Sequence, residues 1–229
     1  MNIAVFGDSY AEKSSDITAW WQVLKQYGHE VTSFGEAGSS INFSAKLILE
    51  KYKDFDFIIW CMTTPGRFSI EIPGCPGIFH TTNVLTHTGV KVSDNSLSGI
   101  DNQIINACQL YLKYVFDPNL ENLLGKALAN YFLQLIPNLM IIPCFTPPLE
   151  TNFDLYTLCT RELRQVFHKA ETYRVYESWN DIRTCHLTPQ NNQILAEIIA
   201  NNLKLGIFST DYSNFSFENI TIDQILKAK

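Results

Sequence analysis

Several features that would place this sequence in a specialised class of protein are missing from it. The 229 residues include 17 basic and 23 acidic ones, a formal net charge of −6, with no basic stripe. This balance argues against nucleic-acid binding. No apolar run approaches the length of a membrane span, and the first apolar stretch leaves no room for a signal peptide. We therefore expect a cytoplasmic protein with no membrane partner.

The cysteines also lack the spacing of a zinc site or a redox motif. None of the six forms a Cys-x-x-Cys pair, and three lie in apolar runs, at positions 61, 108 and 144. We expect reduced thiols in a reducing compartment, without a disulfide framework. No cluster of histidine, cysteine and carboxylate side chains has the spacing of metal ligands, so we expect neither a metal nor a cofactor.

What the sequence does have is enough apolar material for a sizeable core. Hydrophobic residues make up 46% of the chain and aromatic residues 13%, a composition that is typical of a globular protein. No internal repeat divides the chain, and no linker separates two halves. The sequence therefore predicts one domain over residues 1–205, followed by a polar tail with scattered aromatics over 206–229.

The stretch from residue 3 to residue 10 is the one around which we expect the fold to be organised. Four apolar residues run up to Gly7, as in a strand that is buried on both faces of a parallel sheet. Ser9 would then stand at the carboxyl end of the first strand, where ligands of open α/β sheets bind. The alternative is that Gly-Asp-Ser is only a turn.

Strand and helix patterns alternate along the rest of the chain. Strands are predicted at 29–34, 55–62, 139–144 and 173–176, after the first at the amino terminus. Helices are predicted from a cap at Asp16 to Gly28, and at 41–52, 99–116, 119–135, 152–170 and 188–203. This order predicts an α/β fold with right-handed crossovers and a five-stranded, mainly parallel sheet.

Residues 63–98 form a long stretch without a clear period, rich in Gly, Pro, Thr and Ser. We predict a loop insertion there, because such a segment in a compact domain usually serves as a lid or a binding loop. It starts at the same edge of the sheet as Ser9. The tail at 206–229 is expected to pack on the domain, or to join a protein partner or a second copy.

Ser9 and His186 are the candidate pair for nucleophilic catalysis. His186 lies in the loop after the last predicted strand and before the last helix. In a parallel sheet that loop is at the same edge as the loop after strand one, so the two ends of the chain can bring the side chains together. A serine needs a base within hydrogen-bond reach to act as a nucleophile.

At these positions the sequence resembles the GDSL esterases, also called SGNH hydrolases. The matching blocks are residues 6–9 (Phe-Gly-Asp-Ser), residues 35–38 (Gly-Glu-Ala-Gly) and residues 186–188 (His-Leu-Thr). The resemblance covers about residues 1–205 and implies a three-layer α/β/α sandwich of the flavodoxin-like, SGNH-hydrolase type. It also implies that Ser9 is the nucleophile, that Ser9 and Gly38 donate backbone N–H groups to the oxyanion, and that His186 is the base.

Two positions depart from the pattern of that family. The block after the third strand, which supplies an asparagine to the oxyanion, has none here, and Thr64, Thr63 or Arg67 would have to donate instead. The acid three residues before the histidine is replaced by Arg183. Asp181 is the nearby carboxylate that would orient the imidazole, and a backbone carbonyl is the alternative.

The two arginines have a second interpretation. Arg67 and Arg183 both follow predicted strands at the ligand edge, where together they could hold a carboxylate or a phosphate. The alternative is that each pairs with a local acid or caps a carbonyl. His80 and His87, in the long loop, are either pocket residues, one of them an alternative base, or solvated loop residues.

These observations leave three hypotheses of different classes. The first is a serine hydrolase that cleaves a small-molecule or carbohydrate ester, for example an O-acetyl ester. The second is a catalytically impaired module on the same scaffold, which binds an anionic ligand through Arg67 and Arg183. The third is an assembly protein that docks a partner through residues 206–229.

Overall fold

The computed structural model describes residues 1–12, 19–63, 67, 69–71, 78–80, 106–107, 110–111, 113–144, 187 and 189–207. Six strands lie in this part: β1 (Asn2–Gly7), β2 (Glu30–Ser33), β3 (Phe57–Met62), β4 (Ser69–Glu71), β5 (Ile78–His80) and β6 (Leu139–Pro143). The α-helices whose bounds are described are α1 (Trp20–Val23), α2 (Ile41–Lys51), α3 (Pro118–Leu135) and α4 (Pro189–Leu205).

The central sheet has the strand order β2-β1-β3-β6, and every neighbouring pair is parallel. The α/β class and the parallel sheet predicted from the sequence are thus confirmed, with four of the five predicted strands. The fifth predicted strand, at 173–176, lies outside the described residues. β1 and β3 are buried along almost their whole length, which is why both appear in the sequence as continuous apolar runs rather than as an alternation.

Helices cover both faces of the sheet, so the described part is a three-layer α/β/α arrangement. On one face, Ile3 and Val5 of β1 pack with side chains of α1 and α4. On the other face, Ala4 and Phe6 pack with side chains of α2 and α3. Successive residues of a strand point to opposite faces, so one strand contributes to both cores.

Local sequence signals set the ends of the helices. Ser40 caps α2, since its hydroxyl accepts a hydrogen bond from the Phe43 N–H, and Asp117 caps α3, which begins with Pro118. The first predicted helix is α-helical only over Trp20–Val23 and continues as a 3-10 turn to Tyr27, before Gly28 at φ 82°. It starts after Ala19; the predicted cap Asp16 lies outside the described residues.

Two short strands lie within the predicted loop insertion at 63–98. β4 and β5 form an antiparallel pair in which Ser69 lies opposite His80. Strands of three residues are too short to show a period of two, which is why the sequence pattern missed them. The Ser40 N–H donates to Ser69 Oγ over 3.0 Å, so this hairpin contacts the amino-terminal end of α2.

Three predicted segments fall wholly or largely outside the described residues: the helices at 99–116 and 152–170, and the tail from 208 onward. Of the first, residues 106–107, 110–111 and 113–114 are helical. α4 ends at Leu205, slightly beyond the end at 203 predicted for this helix. Among the described helices, none combines the length and the apolar character that crossing a membrane requires.

Candidate active site

The order of the strands predicts a ligand crevice between the segments that follow β1 and β3. After β1 the next strand of the sheet is β2, which lies on one side of the β1–β3 pair. After β3 the next strand of the sheet is β6, which lies on the other side. Connections that leave neighbouring strands in opposite directions open a crevice at the carboxyl ends of those strands, the usual ligand site of an open α/β sheet. Ser9 follows β1 and Arg67 follows β3, so both belong to the segments that flank this crevice.

Ser9 lies at the corner of a tight turn that begins at Asp8. The Ala11 N–H donates to the Asp8 carbonyl over 2.9 Å, and the Tyr10 N–H donates to Asp8 Oδ1 over 3.1 Å. Asp8, Tyr10 and Ala11 are buried, whereas Ser9 is half-buried. The turn therefore holds a serine at the surface on a backbone whose neighbouring residues are fixed in the core.

Gly7 is required where β1 meets this turn. Its φ is 148°, and a Cβ built there would lie 2.5 Å from the carbonyl oxygen of Cys61 on the adjacent β3. Side chains avoid that backbone conformation, and a contact of this length forces neighbouring atoms to move. The glycine before Asp8 and Ser9 is thus explained by the close approach of β3.

The loop that carries Gly38 is fastened to the same place. The Glu36 N–H and the Ser39 hydroxyl both donate to the carbonyl oxygen of Gly7, over 3.1 and 2.9 Å. The Ser39 N–H closes a turn onto the Glu36 carbonyl, with Gly38 at φ 76° as a left-handed residue inside it. The structure therefore brings the segments of Ser9 and Gly38 together through one carbonyl group.

Asp8 is the centre of a buried polar network at the carboxyl ends of β1 and β3. Its Oδ2 accepts a hydrogen bond from Thr63 Oγ1 over 2.7 Å and lies 2.6 Å from Arg67 Nη1. The Asp8 side chain is fully buried and that of Arg67 is 9% exposed. Burial raises the pKa of the Asp8 carboxyl, and the Arg67 charge and the hydrogen bonds from Thr63 and Tyr10 oppose that rise.

This network bears on the residues expected to replace the asparagine of the oxyanion site. The Thr63 hydroxyl donates its proton to Asp8, so it has no second proton for an oxyanion. Arg67 forms an ion pair with Asp8, an acid that is distant in the sequence. Its guanidinium has several N–H groups, so a role toward a ligand at the crevice stays a prediction. Thr64 lies outside the described residues.

Two thiols lie beside this network. Cys61 and Cys144 are fully buried, as their apolar runs predicted, and neither is in a disulfide bond. Burial raises the pKa of the Cys144 thiol well above its usual value. A buried, neutral thiol is a poor nucleophile, so Ser9 is the better candidate at this edge.

His186, Asp181, Arg183 and His87 lie outside the described residues, and of His80 only the backbone is described, at the end of β5. The residue after His186 is described. Leu187 is 5% exposed and belongs to the same core cluster as Tyr10, the residue after Ser9. The proximity of Ser9 and His186 stays a prediction.

Two contacts near this edge were not predicted from the sequence. One is the ion pair of Asp8 with Arg67, 59 positions away. Asn192 was given no role, although its side chain contacts both Trp20 and Leu187. Asp8 follows β1 and Arg67 follows β3, and both strands appear in the sequence as buried apolar runs. An acid and an arginine in these two positions could have suggested the pair.

Metal chemistry finds no support in the described part of the chain, where no group of three or more histidine, cysteine or carboxylate side chains could hold a metal ion.

Comparisons with known proteins show a similarity to solved structures and none to the family models or the curated proteins. Among solved structures, the chain is similar to a member of the lipolytic protein G-D-S-L family from Veillonella parvula DSM 2008. The two are 13% identical with a TM-score of 0.34, over 90% of this chain and 97% of that one.

Proposed function

We propose that this protein is a serine hydrolase that cleaves an ester, with a short acyl ester such as an O-acetyl group on a carbohydrate as the substrate class. The observation that carries the proposal is the setting of Ser9. It stands half-buried on a turn fixed by Asp8, at the carboxyl end of β1, and the loop of Gly38 is hydrogen-bonded to the residue before that turn.

In the proposed reaction Ser9 Oγ attacks the carbonyl carbon of the ester while His186 accepts the hydroxyl proton. The negative charge that develops on the carbonyl oxygen is stabilised by the N–H groups of Ser9 and Gly38. Thr64 or Arg67 adds a third donor. The intermediate collapses, and the alcohol leaves with the proton from the imidazolium. Water then attacks the acyl-enzyme while His186 accepts its proton, and His186 returns that proton to Ser9 as the acid is released.

Glycine at position 38 suits the role of a backbone donor. The turn at Glu36–Ser39 places it at positive φ, and the absence of a side chain lets a ligand approach its N–H closely. The hydrogen bonds from Glu36 and Ser39 to Gly7 give this loop a fixed position relative to the Ser9 turn. Donors held in place before the reaction stabilise an oxyanion without reorganisation.

Asp181 is proposed to orient the imidazole of His186, with a backbone carbonyl as the alternative partner. Arg183, at the position where the resembling family has its acid, would disfavour the imidazolium if it faced the ring. We therefore propose Arg183 as a residue that binds the ligand and not as the partner of the imidazole.

The ion pair between Asp8 and Arg67 favours hydrolysis over the anion-binding function. A carboxylate or phosphate ligand would have to compete with Asp8 for the guanidinium of Arg67, at a separation of 2.6 Å between the paired atoms. The pair carries no net charge, so its attraction for an anion is weaker than that of an isolated arginine.

The proposal is tested with chromogenic short-chain esters, beginning with the acetyl ester. The expected result is turnover by the wild type and a loss of at least about a thousandfold in kcat for Ser9→Ala, as for other serine nucleophiles. Thr32→Ala is the matched control, since it removes a hydroxyl from an exposed position of β2. Equal activity of the wild type and Ser9→Ala would remove Ser9 as the nucleophile.

A further inference from the structure

The side chain of Asn192 joins two parts of the chain that are 172 positions apart. Its Oδ1 accepts a hydrogen bond from the Trp20 N–H over 3.0 Å, and its Nδ2 donates to the Leu187 carbonyl over 3.1 Å. We propose that Asn192 is a positioning residue, which holds the backbone next to His186 in register with the turn that carries Ser9. This inference rests on the proposed function.

The position of Asn192 on α4 explains how it reaches the segment of His186. α4 begins at Pro189, so Asn192 is in its first turn and Leu187 lies just ahead of the helix. A side chain at the fourth helical position and the residue that precedes the cap are neighbours in space. Here an amide occupies that position and binds the Leu187 carbonyl, next to the backbone of His186.

Trp20 extends the connection to the segment of Ser9. Its indole Nε1 donates to the Tyr10 carbonyl over 2.9 Å, and its side chain is 2% exposed. Tyr10 follows Ser9 in the chain, as Leu187 follows His186. The contacts Tyr10–Trp20–Asn192–Leu187, which we call the Trp20–Asn192 bridge, therefore join the residues that follow the two proposed catalytic side chains.

Packing around the bridge predicts that its loss shifts the segment without unfolding the domain. Tyr10, Trp20, Leu187 and Leu195 belong to one core cluster, and Asn192 itself is only partly buried. Apolar packing keeps Leu187 in the core but does not fix the orientation of its backbone, because apolar contacts are not directional. The two hydrogen bonds of Asn192 fix that orientation, and a catalytic pair is sensitive to errors of about 1 Å.

Two variants at one position separate the two contacts. Asn192→Asp has the same shape and still accepts from the Trp20 N–H, but the carboxylate cannot donate to the Leu187 carbonyl. Asn192→Leu removes both hydrogen bonds. Gln193→Leu is the matched control: it removes the hydrogen bond from Gln193 Nε2 to the Tyr27 hydroxyl, 3.1 Å long, from the next position of α4.

The experiment measures kcat and KM on the acetyl ester, together with the melting temperature of each full-length variant. We expect kcat of Asn192→Asp and Asn192→Leu to fall about ten- to a hundredfold, with KM changed less than about twofold and folding retained. Gln193→Leu keeps the wild-type kcat. Wild-type kcat in folded Asn192→Asp would overturn the proposal, and so would variants that lose melting temperature but keep kcat per folded molecule.

Amide hydrogen exchange distinguishes a failure of this inference from a failure of the proposed function. Absence of ester hydrolysis in the wild type would refute the hydrolase, whatever the Asn192 variants do. In that case the Trp20–Asn192 bridge is tested by the rate of amide hydrogen exchange in peptides that cover residues 180–190. Faster exchange there in Asn192→Asp than in Gln193→Leu supports it, and equal exchange in the two overturns it.

Discussion

Replacing Arg67 by methionine should destabilise the fold strongly, because it leaves the Asp8 carboxylate without its cationic partner. The two charged atoms are 2.6 Å apart and the side chains are 9% and 0% exposed, so solvent cannot take the place of the guanidinium. Breaking such a buried pair from one side costs about 3–5 kcal/mol. For a chain of this length that corresponds to a fall of about 6–20 °C in melting temperature.

The loss should depend on pH in a definite direction. The pKa of Asp8 is already raised by burial, and Arg67 is the main group that opposes the rise, so the pKa rises further in Arg67→Met. When the pKa of a carboxyl is higher in the folded state than in the unfolded state, the protonated carboxyl stabilises the fold. This contribution is complete at a pH below the unfolded-state pKa of about 3.9, and it is lost as the pH rises through the folded-state pKa. The deficit of Arg67→Met should therefore shrink as the pH falls from 7 toward 5.

Thermal unfolding of four proteins tests this account: the wild type, Arg67→Met, Asp8→Asn and the double variant. If the cost arises from an unpaired buried charge, the double variant is more stable than Arg67→Met alone. The reasoning is refuted if Arg67→Met melts within about 2 °C of the wild type, or if the double variant is less stable than both single variants.

Two further predictions concern Gly7, at the end of β1, and Asp117, which caps α3. Gly7→Ala should cost about 2–6 kcal/mol, the sum of backbone strain and overpacking against the Cys61 carbonyl at 2.5 Å; a urea midpoint like that of the wild type would contradict this. Asp117→Ala should lower stability by about 1 kcal/mol, because the N–H groups of Asn119 and Leu120 lose their acceptor. Asn119→Ala, which keeps the cap, serves as its control in the same urea titration.

The central strands could be predicted from the sequence because burial on both faces leaves a continuous apolar run. β3 is the clearest case: Phe57–Met62 is buried throughout, and only the start of the strand, predicted at residue 55, was placed too early. Helix α3 was equally accessible, since Asp117 and Pro118 mark its start and an apolar period follows. The hairpin of β4 and β5 gave no comparable signal, as each strand has three residues.

The polar contacts of the site could not be predicted from the pattern of apolar and polar residues. The sequence placed Ser9, Gly38 and Arg67 at one edge of a parallel sheet, and the structure puts the segments of all three there. It did not indicate that Arg67 pairs with Asp8, because the two residues are 59 positions apart and follow different strands. The contacts of Asn192 likewise join residues with no pattern in common.

The most direct test of the central claim is the covalent labelling of Ser9 by a fluorophosphonate, an analogue of the ester that phosphonylates activated serines. Intact mass and peptide mapping measure its extent and site. The account predicts stoichiometric labelling at Ser9 in the wild type, and none in either Ser9→Ala or His186→Ala. Labelling that His186→Ala leaves unchanged, or a folded wild type that takes up no label at Ser9, would contradict it.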